Sequence, residues 1–382
     1  MGKIRKIMKI PRNYQNLNKF LKPNKVLVIY GPRQVGKTTL LKDFLANCPL
    51  KYRLDSGDDL RIKEVFISSD FKKIKDYATG YELIVIDEAQ KIPGIGQGLK
   101  ILVDQVPKIK VIATGSSSFE LAGQVGEPLT GRKITLTLFP VAQSEFFLLY
   151  NPYELKNQIS DYLVFGCYPE VAANENTEEK KRILNELTGS YLLKDILELE
   201  KVKSSKILLD LLRLLAFQVG NEVSLSELAE QLGIDAKTVA RYLDLFEKAF
   251  VLYNLRGFSR NLKKEITKKS KYYFYDNGIR NAIISNFNPL EIRNDIGQLW
   301  ENFIIMERIK KQSYKKIYAN NYFWRSWSKQ EVDFVEERGG QLYGYEIKWK
   351  DGKVKKPSEW SENYPKAIFK IINQKNYLDF VV

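Results

Sequence analysis

Residues 31–38 read Gly-Pro-Arg-Gln-Val-Gly-Lys-Thr and directly follow the apolar, β-rich run Lys25–Tyr30. A short continuous apolar run is what a strand buried on both faces of a parallel sheet looks like. Glycines at 31 and 36 let backbone N–H groups curl around a phosphate, Lys37 can reach its outer oxygens, and Thr38 offers a hydroxyl to magnesium at a helix N-terminus. The run therefore calls for an α/β domain with a parallel sheet. Its phosphate cradle comprises Gly31, Pro32, Arg33, Gln34, Val35, Gly36, Lys37, Thr38 and Thr39, with ATP and Mg2+ as the implied ligands.

A second apolar run, 83–86, ends in Asp87-Glu88, which puts two carboxylates at the carboxyl end of a central strand. Asp87 is expected to share the magnesium ion with Thr38, and Glu88 to polarise an attacking water. The chain contains no histidine, so Ser-His-Asp and Cys-His catalysis and His-ligated zinc are excluded, and acid–base work falls to carboxylates or lysines. A third run, 110–113, leads to Thr114-Gly115-Ser116. Thr114 and Ser116 are either sensors of the terminal phosphate or a Ser/Thr-rich cap for the next helix. Their position after the carboxylate strand favours sensors.

At 382 residues the chain is expected to hold several domains: 1–142 around the phosphate loop, a helical lid at 143–215, a winged helix at 216–285, and a further α/β unit at 286–382. Two cysteines, Cys48 and Cys167, give no disulfide framework, which suits a cytoplasmic protein. The N-terminus has no continuous apolar stretch of signal-peptide type, and the greasiest segment, 207–219, is broken by Asp210 and Arg213, so no membrane span is expected. Lys and Arg outnumber Asp and Glu 61 to 46, a balance that favours a polyanionic partner.

Ser224 and Glu227 make a capping box ahead of the apolar stripe Leu225, Leu228, Ala229 and Leu232, and Gly233 supplies a turn. The next helix places Val239, Tyr242, Leu243 and Phe246 inward and leaves Lys237, Thr238 and Arg241 outside, a helix-turn-helix layout. The segment 256–271 then carries seven basic residues against Glu265 alone. Arg256, Arg260, Lys263, Lys264, Lys268 and Lys269 make it a candidate wing for DNA backbone or structure-specific contact, although such modules also bind proteins. Towards the C-terminus, Glu301 on an amphipathic helix precedes Asp333 on one strand and Glu346-Ile-Lys348 on the next, across a turn at Gly339-Gly340. Such an acid, Glu-x-Lys and helical Glu can bind magnesium and activate water in a nuclease. A solvated ion pair is the plainer use of Glu-x-Lys.

Across Gly-Pro-Arg-Gln-Val-Gly-Lys-Thr-Thr, Ile-Asp87-Glu88-Ala-Gln, Thr-Gly-Ser-Ser-Ser, Thr-Gly-Arg132, Phe-Gly-Cys-Tyr-Pro169, Tyr-Phe-Tyr-Asp276-Asn-Gly278, Glu-Val-Asp333 and Glu346-Ile-Lys348, the chain resembles a family of prokaryotic AAA-type (Orc/STAND-like) ATPases. That family has a winged helix and a C-terminal domain of unknown function that resembles PD-(D/E)XK nucleases. The resemblance implies a homo-oligomer in which Arg132 reaches the neighbouring subunit's γ-phosphate and Pro169 packs against adenine. It further implies an ATP-hydrolysing, DNA-processing protein, or an ATP-dependent switch that binds a protein partner. No lid arginine stands out as a second sensor, and Cys167 occupies a position where such proteins usually have a small residue.

Overall fold

The computed structural model describes residues 9–115, 128–192, 205–259, 270–352 and 355–382. Five strands form the first sheet: β1 (Lys25–Tyr30), β2 (Tyr52–Ser56), β3 (Leu83–Asp87), β4 (Lys110–Thr114) and β5 (Lys133–Thr137). All pair in parallel, in the order β2-β3-β4-β1-β5. Alternate residues face opposite layers. Leu27, Ile29, Leu83, Val85 and Ile112 enter one core, while Val26, Val28, Ile84, Ile86, Val111 and Ala113 enter the other. The unbroken apolar runs thus reflect burial on both faces. Because β4 lies between β1 and β3, the tip of β4 sits between the phosphate loop and Asp87, at the carboxyl ends where open α/β sheets bind ligands.

The region after β5 is helical, with helices at Pro152–Asn157, Ile159–Phe165, Pro169–Ala172, Thr177–Glu186 and Ser205–Phe217. Residues 166–168 connect the helices Ile159–Phe165 and Pro169–Ala172. They lock onto the turn after residue 275: Asp276 accepts from Cys167 N at 2.7 Å and from Gly278 N at 2.9 Å. The packing leaves no room for side chains at either glycine. A Cβ on Gly166 would fall 1.9 Å from Asp276 Oδ1, and one on Gly278 would fall 2.1 Å from Phe165 O.

Helices Leu225–Leu232 and Ala236–Lys248 are joined through Gly233 at φ 64°. Around them lie β6 (Glu222–Val223), β7 (Leu252–Gly257) and β8 (Ser270–Phe274), with β8 antiparallel to both neighbours. The sheet continues through β9 (Asn320–Arg325), β10 (Glu331–Arg338), β11 (Gln341–Ile347) and β12 (Ile368–Ile372), in the order β12-β11-β10-β9-β7-β8-β6. The boundary expected at 285/286 therefore crosses one seven-stranded sheet, stitched by the parallel β7–β9 pair at Arg256↔Tyr322 and Gly257↔Phe323.

The long helix Ile296–Lys315 ties this part to the first sheet. Phe139 N donates to Tyr314 OH at 3.2 Å, and Glu307 accepts from Gln143 N at 2.6 Å. Among the described residues, no helix is long and apolar enough to cross a membrane.

Candidate functional site

The phosphate loop leaves β1 and enters the helix Lys37–Leu45 through Gly36, held left-handed at φ 92°. Gln34 is also left-handed, at φ 59°, a strained setting for a residue with a side chain. Lys37 is buried, and its Nζ donates to Gly31 O at 2.9 Å and Pro32 O at 2.7 Å. Thr38 Oγ1 donates to Asp87 Oδ2 at 2.6 Å, and Thr114 Oγ1 donates to the other carboxylate oxygen, Oδ1. Thr38, Asp87 and Thr114, on three separate elements, are thus joined through one carboxylate.

The same hydroxyl of Thr114 accepts from Glu88 N at 3.1 Å. Glu88 has φ 52°, and Gln90 Nε2 donates to Glu88 Oε2 at 2.6 Å. Gln90 is thus a partner of the carboxylate expected to handle water. Ser116 lies outside the described residues.

Arg12, silent in the sequence, closes the loop from behind. Its guanidinium donates to Val35 O within the loop, to Phe139 O at 2.6 Å and to Glu145 at 3.1 Å. All three acceptors are distant in sequence, so only the folded chain reveals the clamp.

Arg132 precedes β5, whose first residue aligns with Val26 near the start of β1. It therefore stands at the end of the sheet opposite the phosphate loop. Its Nε donates to Asp104 at 2.6 Å. The cleft beside the loop is lined by Pro32, Arg33, Tyr168, Phe250, Val251 and Tyr275. The residue from the 165–169 motif on this wall is Tyr168; Pro169 starts the next helix and is not among the residues that line the cleft.

With this geometry in view, residues 23–147 match the family described as "AAA domain". They form an AAA-type P-loop domain. Residues 156–290 and 296–372 match two families described only as domains of unknown function, DUF8612 and DUF4143. An uncharacterised protein of Mycobacterium tuberculosis is 27% identical over 334 residues, covering 85% of this chain and 70% of its own. One from Methanocaldococcus jannaschii is 25% identical over 333 residues, covering 82% and 72%. Among solved structures, a Walker-type ATPase of Pyrococcus abyssi is 17% identical with a TM-score of 0.47, covering 68% of this chain and 91% of its own. The Thermotoga maritima RuvB Holliday junction branch migration motor is 17% identical with a TM-score of 0.30, covering 60% and 81%.

Beyond the AAA domain, Lys237 and Arg241 are exposed on the helix Ala236–Lys248, and Arg256 is exposed on β7. Thr238 is engaged at the helix start: its N and Oγ1 donate to Asp235 at 2.8 and 2.6 Å. Arg260, Lys263, Lys264, Lys268 and Lys269 lie outside the described residues.

The four residues of the C-terminal constellation do converge. Lys348 Nζ lies 2.7 Å from Glu346 and 3.6 Å from Asp333. Glu301 accepts from Tyr273 OH at 2.7 Å and sits 4.0 Å from Lys271 Nζ, which also pairs with Glu331. Burial, reinforced by Asp333, pushes the Glu301 carboxyl up to about 7. Burial likewise raises Asp333 and Glu346. Among the described residues, no three acidic side chains are grouped as a metal would need. Lys348 and Lys271 thus pair with the carboxylates of this cluster. Lys271 and Glu331 were not anticipated because they come from β8 and the start of β10.

Proposed function

We propose that this chain hydrolyses ATP and couples the cycle to holding DNA, working as a homo-oligomer. The observation that carries the reading is the Thr38–Asp87–Thr114 linkage beside the phosphate loop, with Glu88 clasped by Gln90. In this reading Lys37 exchanges its two loop carbonyls for phosphate oxygens, and the N-terminus of the helix Lys37–Leu45 favours their negative charge. Thr38 and Asp87 fit a magnesium ion, which when bound would neutralise charge on the triphosphate. Glu88 orients and polarises water. Arg132, released from Asp104, serves the site of a neighbouring subunit.

The DNA assignment rests on Lys237, Arg241 and Arg256, which share one module and can neutralise backbone phosphates without reading bases. ATP turnover of the purified chain is expected to rise with duplex, single-stranded or branched DNA and to lose that stimulation at high salt. Lys237→Ala with Arg241→Ala should flatten the salt slope by about two. Turnover that ignores saturating DNA of every form would remove the reading's main support.

A second reading is an ATP-dependent switch for a protein partner, with an inert nuclease-like unit. The pairing of Lys348 and Lys271 with the C-terminal carboxylates favours it over active cleavage. Magnesium-dependent DNA cleavage abolished by Asp333→Ala and by Lys348→Ala, with ATP turnover intact, would count against this second reading.

A further inference from the structure

The chain has five tryptophans. Trp300, Trp324 and Trp360 are buried, Trp349 is half-buried, and Trp327 is fully exposed. One apolar side chain in water is ordinary in itself. Its setting is not.

Trp327 stands on the turn between β9 and β10, and that turn is tied both across its base and to a neighbouring helix. Ser326 N donates to Gln330 O at 2.9 Å, Lys329 N to Ser326 O at 3.1 Å, and Gln330 N to Ser326 Oγ at 3.2 Å. Against the helix Ser358–Asn363, Gln330 Nε2 donates to Ser358 Oγ at 3.0 Å, Glu359 N donates to Gln330 Oε1 at 3.2 Å, and Ser328 Oγ donates to the Glu359 carboxylate. The indole is therefore held out on a fixed support, with its loss of freedom already incurred by the fold.

The side chains around the ring are polar and basic. Lys329 is exposed in the same turn, and Lys355 and Lys356 are exposed just ahead of the helix that the turn is tied to. β7 and β9 run parallel and leave the sheet at the same end, with exposed Arg256 in register with Tyr322, five residues before Trp327. Five extended residues span about 17 Å, a length that about five stacked nucleotides cover at 3.4 Å each. Docking of a folded protein calls for a contiguous apolar patch, whereas a single rigid aromatic among cations is the arrangement that stacks on a base while the cations hold the backbone.

We propose that Trp327 stacks on an unpaired base of DNA whose phosphates are held by Lys329, Lys355, Lys356 and Arg256. The assignment rests on the reading that this chain holds DNA, and adds which form it prefers. A base inside a duplex has both faces covered by its neighbours, so the ring gains a contact only where a base is unpaired. Single-stranded and gapped DNA are then favoured over fully paired duplex.

Because Trp327 is fully exposed, its replacement opens no cavity. Affinities of the intact chain for labelled oligothymidylate, gapped duplex and fully paired duplex are measured for the parent, Trp327→Ala and Trp327→Phe. Trp327→Ala is expected to weaken the first two about tenfold and to leave paired duplex unchanged, while Trp327→Phe, which keeps a π face, retains most of the preference. Oligothymidylate should also quench part of the parent's tryptophan emission, and that part should be missing in Trp327→Phe. Equal affinities of parent and Trp327→Ala for every form overturn the proposal, and so does an equal loss on all three. Emission that shifts with vesicles of phosphatidylserine and phosphatidylcholine but not with oligothymidylate assigns the ring to a membrane surface and also overturns it. Lys237→Ala with Arg241→Ala tests the DNA reading itself and should weaken all three forms. If that pair weakens them and Trp327→Ala does not, only the present proposal falls; a parent that binds no DNA of any form removes both.

Discussion

Gln90 donates its side-chain amide to Glu88 Oε2 across 2.6 Å, while the backbone N of Glu88 is fixed by Thr114. The carboxylate is thereby aimed from two sides. Gln90→Ala should lower kcat for ATP about tenfold with little change in KM, the pattern of a positioning residue whose loss affects the chemical step. A rise in kcat would instead mean that the clasp restrains Glu88.

Lys37 Nζ donates to the backbone carbonyls of Gly31 and Pro32 in its own loop. Lys37→Ala removes the charge meant for phosphate and should weaken ATP roughly a hundredfold, since two charge-assisted hydrogen bonds are lost. Calorimetric titration of ATP into the variant checks this, and near-parental affinity would contradict it.

Arg132 sits at the far end of the sheet from its own phosphate loop, paired with Asp104. If it serves a neighbour, Arg132→Ala and Lys37→Ala should each be nearly inactive alone and regain part of the parental turnover when mixed. Asp104→Ala should alter stability by no more than about 1 kcal/mol, as expected for an exposed pair. Mixing without recovery argues against action between subunits.

Glu301 holds its proton up to about 7 in the fold, whereas an unfolded glutamate releases it near 4.3. Between those values the native state binds more protons than the unfolded chain, so this group's contribution to stability falls as pH rises through the window. Glu301→Gln keeps an acceptor for Tyr273 and should stabilise the protein above pH 7 by up to about 3 kcal/mol, the gain fading towards pH 5. Melting temperatures of both proteins across pH 5–8 decide it, and a gain that grows on acidification would refute the assignment.

Gly166 is left-handed at φ 74° and faces Asp276, with 1.9 Å available where a Cβ would stand. Gly166→Ala should destabilise by about 3 kcal/mol or more through clash and backbone strain together. Urea unfolding should show a lower midpoint at unchanged slope.

The parts legible in the sequence were those in which chemistry and strand period sit within a few residues. The apolar run before Gly31, the carboxylates after residue 86 and the cap at Ser224 each announce themselves locally. Arg12 was invisible because its partner Glu145 lies 133 positions away. That Tyr168 rather than its neighbour Pro169 lines the cleft is decided by the fold and by no local letter. The C-terminal cluster was half legible: period-two alternation brought Asp333, Glu346 and Lys348 together, but nothing local foretold that Lys271 would arrive from β8 to neutralise Glu301.

The parallel seam between β7 and β9 has a mechanical meaning. It fuses the segment bearing Lys237 and Arg241 to the segment bearing Lys348 within one sheet, so a force on either is carried by both. Cutting the chain at 286 would leave the edge of β9 as a row of unpaired amides and carbonyls, and a fragment of residues 286–382 is expected to self-associate through it.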